Sequence, residues 1–485
     1  MKDKPHNHWL ILIVLALAQF MVVLDSSVVN VALPSILKSF SMTTSSLQWI
    51  VTAYTLTFGG FLLLGGRAAD LYGRKKTFLF GVAGFGLISL LNGLSPSGTF
   101  LIATRALQGL AGAFMSPAAL SIVLVSYKEG HERNIALSVW GSVAAGGAAA
   151  GVLLGGLLTE YFGWRWNFFI NVPVSLGILY YASKIVPKHE SEETHNDLDL
   201  PGAVSVTAGM MSIVYGLANG PSHGWTHWST LIYFVVGVLL LTFFIFNERR
   251  VKNPLMPLSI FKIRNLTGAN LTLFPVIASM FSMFFFMSLY VQDILKYSPV
   301  RAGLTFLVVP VMIAIAATNV PKIVSRIGAR PVLITGPLLI AGALLYLTRI
   351  PLNGHYLTNI LPALIMLGLG AGASFVSGTI TATSGVSGRK SGLASGILNT
   401  TQQIGGSLGL AVLTGVASSA VTRSLSHLPA NLAKNQIAAY AEVQGFHSAF
   451  LVGSMIAVFA SIVAIFVIKP IKPSGNKSAN PVLSH

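Results

Sequence analysis

Apolar runs of about twenty residues recur fourteen times along this 485-residue chain, and that repetition decides most of what it can fold into. They lie at about 9–33, 47–66, 77–95, 99–125, 134–159, 166–186, 200–219, 229–247, 267–292, 303–321, 331–350, 358–384, 391–421 and 446–468. Each is long enough to cross a hydrocarbon core of about 30 Å as an α-helix. Inside such a core every backbone N–H and C=O needs a partner in the chain, which leaves helices or a closed β-barrel. The alternating pattern of barrel strands is absent. The expected fold is therefore all-α and integral to a membrane, with fourteen transmembrane helices. Charged residues make up 9% of the chain, against about 25% in soluble domains, which excludes a single water-soluble core.

A net charge of +17 invites a nucleic-acid partner, but Lys and Arg recur in short clusters between the runs and form no basic stripe. No nucleic acid is expected. With the N-terminus in the cytoplasm, 23 of the 31 basic residues fall in cytoplasmic segments and 7 in outer ones, with Arg105 left inside a run. One run more or fewer would scramble that bias, so it supports fourteen spans in the cell's inner membrane with both ends cytoplasmic. Lys2 and Lys4 precede a first run too long for a signal-peptide core, which predicts that it is retained. The absence of cysteine excludes disulfides, thiol catalysis and thiolate metal sites. The runs group as six, two and six: an N-terminal bundle over 1–187, a linker with two inserted spans over 188–265, and a C-terminal bundle with its tail over 266–485. In transporters built from repeats, the substrate site lies near the midplane between them.

Asp25 is the only carboxylate well inside any run. A charge at that depth costs at least a few kcal/mol, so it is seldom there without a task. Ser26, Ser27 and Asn30 supply groups that could hydrogen-bond it. A packed neutral acid is one reading; a proton or cation site is the favoured one. Arg105 in the fourth run shares a helical face with Gln108, Gly109 and Gly112. Either backbone carbonyls satisfy this Arg, or it tunes the proton affinity of Asp25. The fifth run carries a ladder of Gly147, Gly151 and Gly155, suited to close helix packing or to bending. In the ninth run, Met283 and Tyr290 lie among flexible thioethers and aromatic faces that suit a promiscuous apolar pocket, with packing against lipid as the alternative. Asn30, Gln108, Asn399, Gln402 and Gln403 are further cavity candidates, because an unsatisfied amide in lipid is costly. All eleven His lie in loops, tails or span ends, and no GxxxxGK[ST] loop occurs. No enzyme chemistry, metal or cofactor is expected.

The segment Gly65-Gly66-Arg67-Ala68-Ala69-Asp70-Leu71-Tyr72-Gly73-Arg74-Lys75-Lys76, with a degenerate echo at Ser325–Arg330, resembles a loop pattern of the major facilitator superfamily. Trp164-Arg165-Trp166-Asn167-Phe168-Phe169-Ile170-Asn171-Val172-Pro173, Asp199-Leu200-Pro201-Gly202-Ala203, Leu289-Tyr290-Val291-Gln292 and Ser391-Gly392-Leu393-Ala394-Ser395-Gly396 resemble its fourteen-helix drug–proton antiporter branch, the multidrug and quaternary-ammonium exporters. These matches run from Leu24 to about Leu410. The resemblance implies two six-helix bundles with two inserted helices, a gate latch at Gly66, Asp70, Gly73 and Arg74, and proton coupling through Arg105. The family's proline after the glycine at 151 is Val152 here, which removes a built-in kink.

The function expected is proton-coupled efflux of hydrophobic, often cationic small molecules by a monomer in the bilayer, conferring antibiotic resistance. Asp25 takes a proton from outside and loses it to the cytoplasm, while a cationic substrate competes for the carboxylate; Asp293 is a second acid near the outer end of the ninth run. The alternatives are a dedicated exporter of an endogenous antibiotic or siderophore, and a non-transporting scaffold or sensor.

Overall fold

The computed structural model describes residues 8–127, 131–187, 198–252, 254–384, 386, 391–428, 433 and 436–470. Sixteen α-helices build it: α1 His8–Phe40, α2 Thr44–Tyr72, α3 Arg74–Gly93, α4 Gly98–Ser126, α5 His131–Tyr161, α6 Trp166–Phe169, α7 Asn171–Ile185, α8 Leu200–His223, α9 Trp228–Arg250, α10 Arg264–Leu289, α11 Pro299–Phe306, α12 Val308–Ile327, α13 Ala329–Leu347, α14 Leu361–Thr383, α15 Ser391–Ser426 and α16 Ile437–Val467. No strand occurs among the described residues. Pairs α6–α7 and α11–α12 each make one crossing, and thirteen crossings are long and apolar enough to traverse a membrane. The 31-residue α5 adds a fourteenth, packed along α1.

Local chemistry sets the helix ends. Thr43, Ser97 and Ser298 accept the Ser46, Phe100 and Arg301 N–H groups at the starts of α2, α4 and α11, satisfying donors with no intrahelical partner. Gly73 (φ 94°) and Gly328 (φ 86°) make the sharp α2–α3 and α12–α13 turns, a conformation that only glycine adopts cheaply. Two residues past each glycine a cation stitches the turn to the last helix of its own half. Lys75 donates to the Ser183 and Val186 carbonyls at 2.7 and 2.6 Å, and Arg330 to the Ile465 carbonyl at 2.5 Å. The two halves thus repeat one local design.

Both ends of the described chain lie at one face of the bundle, called here the terminal face. Near it, residues 11–22 of α1 pack into a core built only from α1–α5 and α7. Toward the far face the halves meet. Ser288 donates to the Asn30 carbonyl at 2.6 Å and Gln292 to the Val31 carbonyl at 2.9 Å. Lys38 pairs with Asp293 at 2.8 Å, and Glu160 of α5 accepts the Val300 N–H at the start of α11 at 2.8 Å. Glycines bring the backbones close there: a Cβ on Gly303 would lie 2.3 Å from the Val152 carbonyl oxygen, and one on Gly156 2.6 Å from that of Pro299. Val152, in the place of the family's proline, is buried in this seam with α5 continuous through it. α4 and α14 make their main contacts with helices of their own half. The Ser288, Gln292, Lys38 and Glu160 contacts join the two halves at the far face.

α8 lies over a second seam, between α2 and α15. Thr55 and Ser407 meet at 2.5 Å across it, and Leu56, Val214 and Ala411 share one apolar cluster. α9 packs on α8.

Candidate functional site

Asp25 is wholly buried, and every side chain that binds it belongs to the first half. Oδ2 accepts an Arg105 Nη1 hydrogen bond at 2.5 Å. Oδ1 accepts from Asn171 Nδ2 at 2.8 Å and Gln108 Nε2 at 3.0 Å. An ionised carboxylate is an acceptor only, so three converging donors suit that form. Arg105, 1% exposed, also donates to the Ile50 carbonyl at 3.1 Å and to Gln108 Oε1 at 2.6 Å, and lies over the Tyr54 ring at 4.2 Å. A backbone carbonyl and the carboxylate share this Arg. Gln108 is the hub, since its Oε1 also accepts from Asn92 at 2.6 Å and its Nε2 donates to Ser89 at 2.8 Å.

Helix packing makes this constellation possible. A Cβ on Gly109 would sit 2.3 Å from the Tyr54 carbonyl oxygen, and one on Gly65 2.0 Å from that of Ala113. The glycine face of α4 thereby lets α2 approach until Arg105 reaches Ile50. Gly147, Gly151 and Gly155 seat α5 on α1, with a Cβ at Gly151 lying 2.4 Å from Ser27 Cβ. This ladder directly underlies the segment that carries Asp25.

Asn171, Ser89, Asn92 and Tyr54 were not singled out from sequence. Their signal was an amide, a hydroxyl or a phenol inside an apolar run, and the Asn171 motif had been noted only as a resemblance.

The expected cavity residues are not brought together. Gln108 belongs to the Asp25 network. Asn30 bonds the Ser26 carbonyl and offers its own carbonyl to the far-face seam. Met283 and Tyr290 are fully buried in the apolar core rather than lining an open cavity, and the Tyr290 hydroxyl donates to the Pro351 carbonyl at 2.6 Å. Asn399 is exposed, whereas Gln402 and Gln403 are half-buried and Gln403 packs on Gly59. At the α2–α3 turn Asp70 pairs with Arg74 at 3.6 Å, Gly73 supplies the positive φ, and Gly66 is in ordinary contact with Pro117.

The enclosure of Asp25 also corrects one expectation. A cation in the space between the halves cannot touch a carboxylate sealed inside the first half, so direct competition for it has no route in this conformation. Asp293, the second acid considered, is engaged by Lys38.

A family model described as Major Facilitator Superfamily matches residues 15–410. The chain is 40% identical over 425 residues to Puromycin resistance protein pur8 of Streptomyces alboniger, covering 87% of this chain and 84% of that protein. It is 36% identical over 479 residues to Cephamycin export protein CmcT of Amycolatopsis lactamdurans, covering 98% and 94%. Among solved structures, the POT family transporter PepTSo superposes with a TM-score of 0.69 at 15% identity, over 96% of this chain and 98% of that one, a likeness of fold alone.

Proposed function

The chain belongs to the major facilitator superfamily and is a membrane transporter rather than an enzyme; from that premise we propose that it exports hydrophobic, often cationic small molecules in exchange for protons. The observation that carries the proton is Asp25, a carboxylate sealed inside the first half against an Arg and two amides. Protonation removes its charge and weakens the bond to Arg105, so α1 loses its strongest tie to α4. Because α1 also carries far-face contacts to α10, loosening that tie favours opening of the far face. Substrate need not touch Asp25; it only has to bind the two conformations unequally.

In this reading the terminal face is cytoplasmic, because the inner loops hold the basic excess, and the far-face contacts are those that part on the outer side. The rocking bodies are 1–187 and 266–485, and 188–265 is the linker. The protein works as a monomer. Residues Asp70 and Arg74 act as a latch on the cytoplasmic side, and the Gly147–Gly155 ladder lets α5 slide on α1.

The test is proton movement in proteoliposomes on addition of ethidium, for wild type and Asp25→Asn. Substrate-triggered proton flux that disappears in Asp25→Asn is the expected result. Substrate transport without proton flux in wild type overturns the proton coupling. A second reading, export of a single natural product, is favoured by the likeness to the cephamycin export protein; it predicts one good substrate and no competition among unrelated cations.

A further inference from the structure

Four charged side chains are buried among the described residues: Asp25, Arg105, Asp199 and Glu248. The first two form the pair above. The other two are both acids, each 4% exposed, and neither is in an ion pair. They lie at the terminal face, where the inserted helices α8 and α9 begin and end.

Asp199 caps α8, with Oδ1 accepting the Gly202 N–H at 2.9 Å, and Asn247 Nδ2 donates to both of its oxygens at 2.7 and 2.8 Å. Glu248 Oε2 accepts the Met256 N–H at 2.9 Å. Its other oxygen, Oε1, is buried with no donor, while Asp199 stands within hydrogen-bond reach of the same side chain. The surroundings are apolar: Leu198, next to Asp199, Ala203 in the first turn of α8 and Leu255, next to Met256, cluster with Leu64 of α2 and Phe114 of α4. The nearest basic residues in sequence, Arg249, Arg250 and Lys252, are exposed to solvent. Arg67, one turn beyond Leu64 on α2, has interactions of its own.

Two ionised carboxylates in contact in such a pocket repel one another and forgo hydration. A proton on Glu248 Oε1, donated toward Asp199, removes one charge and satisfies the one oxygen that lacks a partner. We propose that Asp199 and Glu248 share a single proton, a second proton-binding site separate from Asp25 that fastens the two inserted helices to each other and to the connector. The connector bonded to Glu248 at Met256 continues into a short 3₁₀ turn, Leu258–Lys262, whose Ile260 packs with Leu266 of α10 and Leu398 of α15. α8, α9 and the connector therefore join at this pair. The inference stands on the pair's own geometry and holds whether or not the chain exchanges protons for drugs.

The test is infrared difference spectroscopy of the full-length protein in lipid at neutral pH, following the carbonyl stretch of a protonated carboxylic acid. The expected result is one such band in wild type that survives in Asp25→Asn and is lost in Glu248→Gln. It is also lost in Asp199→Asn, where the new amide can donate to Glu248 in place of the proton. Absence of the band in wild type overturns the proposal, as does its persistence in either variant of the pair. Should Glu248→Gln fail to fold, the wild-type and Asp199→Asn spectra decide the matter.

Discussion

Replacing Asp25 by Ala should destabilise the protein strongly, and replacing Arg105 as well should cost clearly less than the two single changes summed. The single change leaves the Arg105 guanidinium buried at 1% exposure with the Ile50 carbonyl, Gln108 Oε1 and the Tyr54 and Phe168 rings but no counter-charge. An uncompensated buried charge of this kind costs about 3–5 kcal/mol. Asn171 would fall back on Ser89 at 3.4 Å, a weak bond, adding about 1 kcal/mol. Gln108 loses little, because Ser89 already accepts from it at 2.8 Å. The expected total is about 4–6 kcal/mol by the same reasoning. Arg105→Met alone orphans the carboxylate and should cost about 3–5 kcal/mol. In the double variant neither charge remains, so its cost should fall short of the sum by at least about 2 kcal/mol. Reversible unfolding in mixed micelles, run as a double-mutant cycle, measures that shortfall. Additive costs, with a coupling below about 0.5 kcal/mol, would refute the enclosed pair.

Two further predictions rest on packing. Gly65→Ala places a methyl 2.0 Å from the Ala113 backbone oxygen and should cost several kcal/mol or prevent folding, whereas Gly146→Ala meets nothing within 4 Å and should be neutral or gain up to about 1 kcal/mol; thermal unfolding of the two variants separates them. At the far face, Lys38→Gln removes the half-exposed Asp293 pair, a contact worth up to about 1 kcal/mol. Because the chain has no cysteine, a single Cys at Ser288 can report the opening; its alkylation from outside should speed up by no more than about fivefold, and an unchanged rate would mean the pair does not hold the seam shut.

Much of this protein is legible in its residues taken locally. Crossing number follows from run length, because a bilayer demands about twenty apolar residues per helix. Asp25 and Arg105 stand out because charge at depth is expensive wherever it points. The turns at Gly73 and Gly328 are readable as well, since a glycine between an apolar run and a basic cluster marks a helix end.

What the sequence could not settle is the rotation of each helix about its own axis. In a water-soluble bundle, polar residues mark the outward face; in lipid both the outside and the packed interior are apolar, so Met283 and Tyr290 carry no label saying core or cavity. Tertiary packing alone turned Asp25 into the first half, away from the space between the halves, and delivered Asn171 to it from 146 residues along the chain. The same packing set α8 across the α2–α15 seam and pressed Asp199 against Glu248. Neither of those acids looked unusual in sequence, because each lies at the edge of an apolar run where a charge is ordinarily hydrated. In the fold the connector brings Leu255 and the Met256 N–H to that edge, and both acids are buried there.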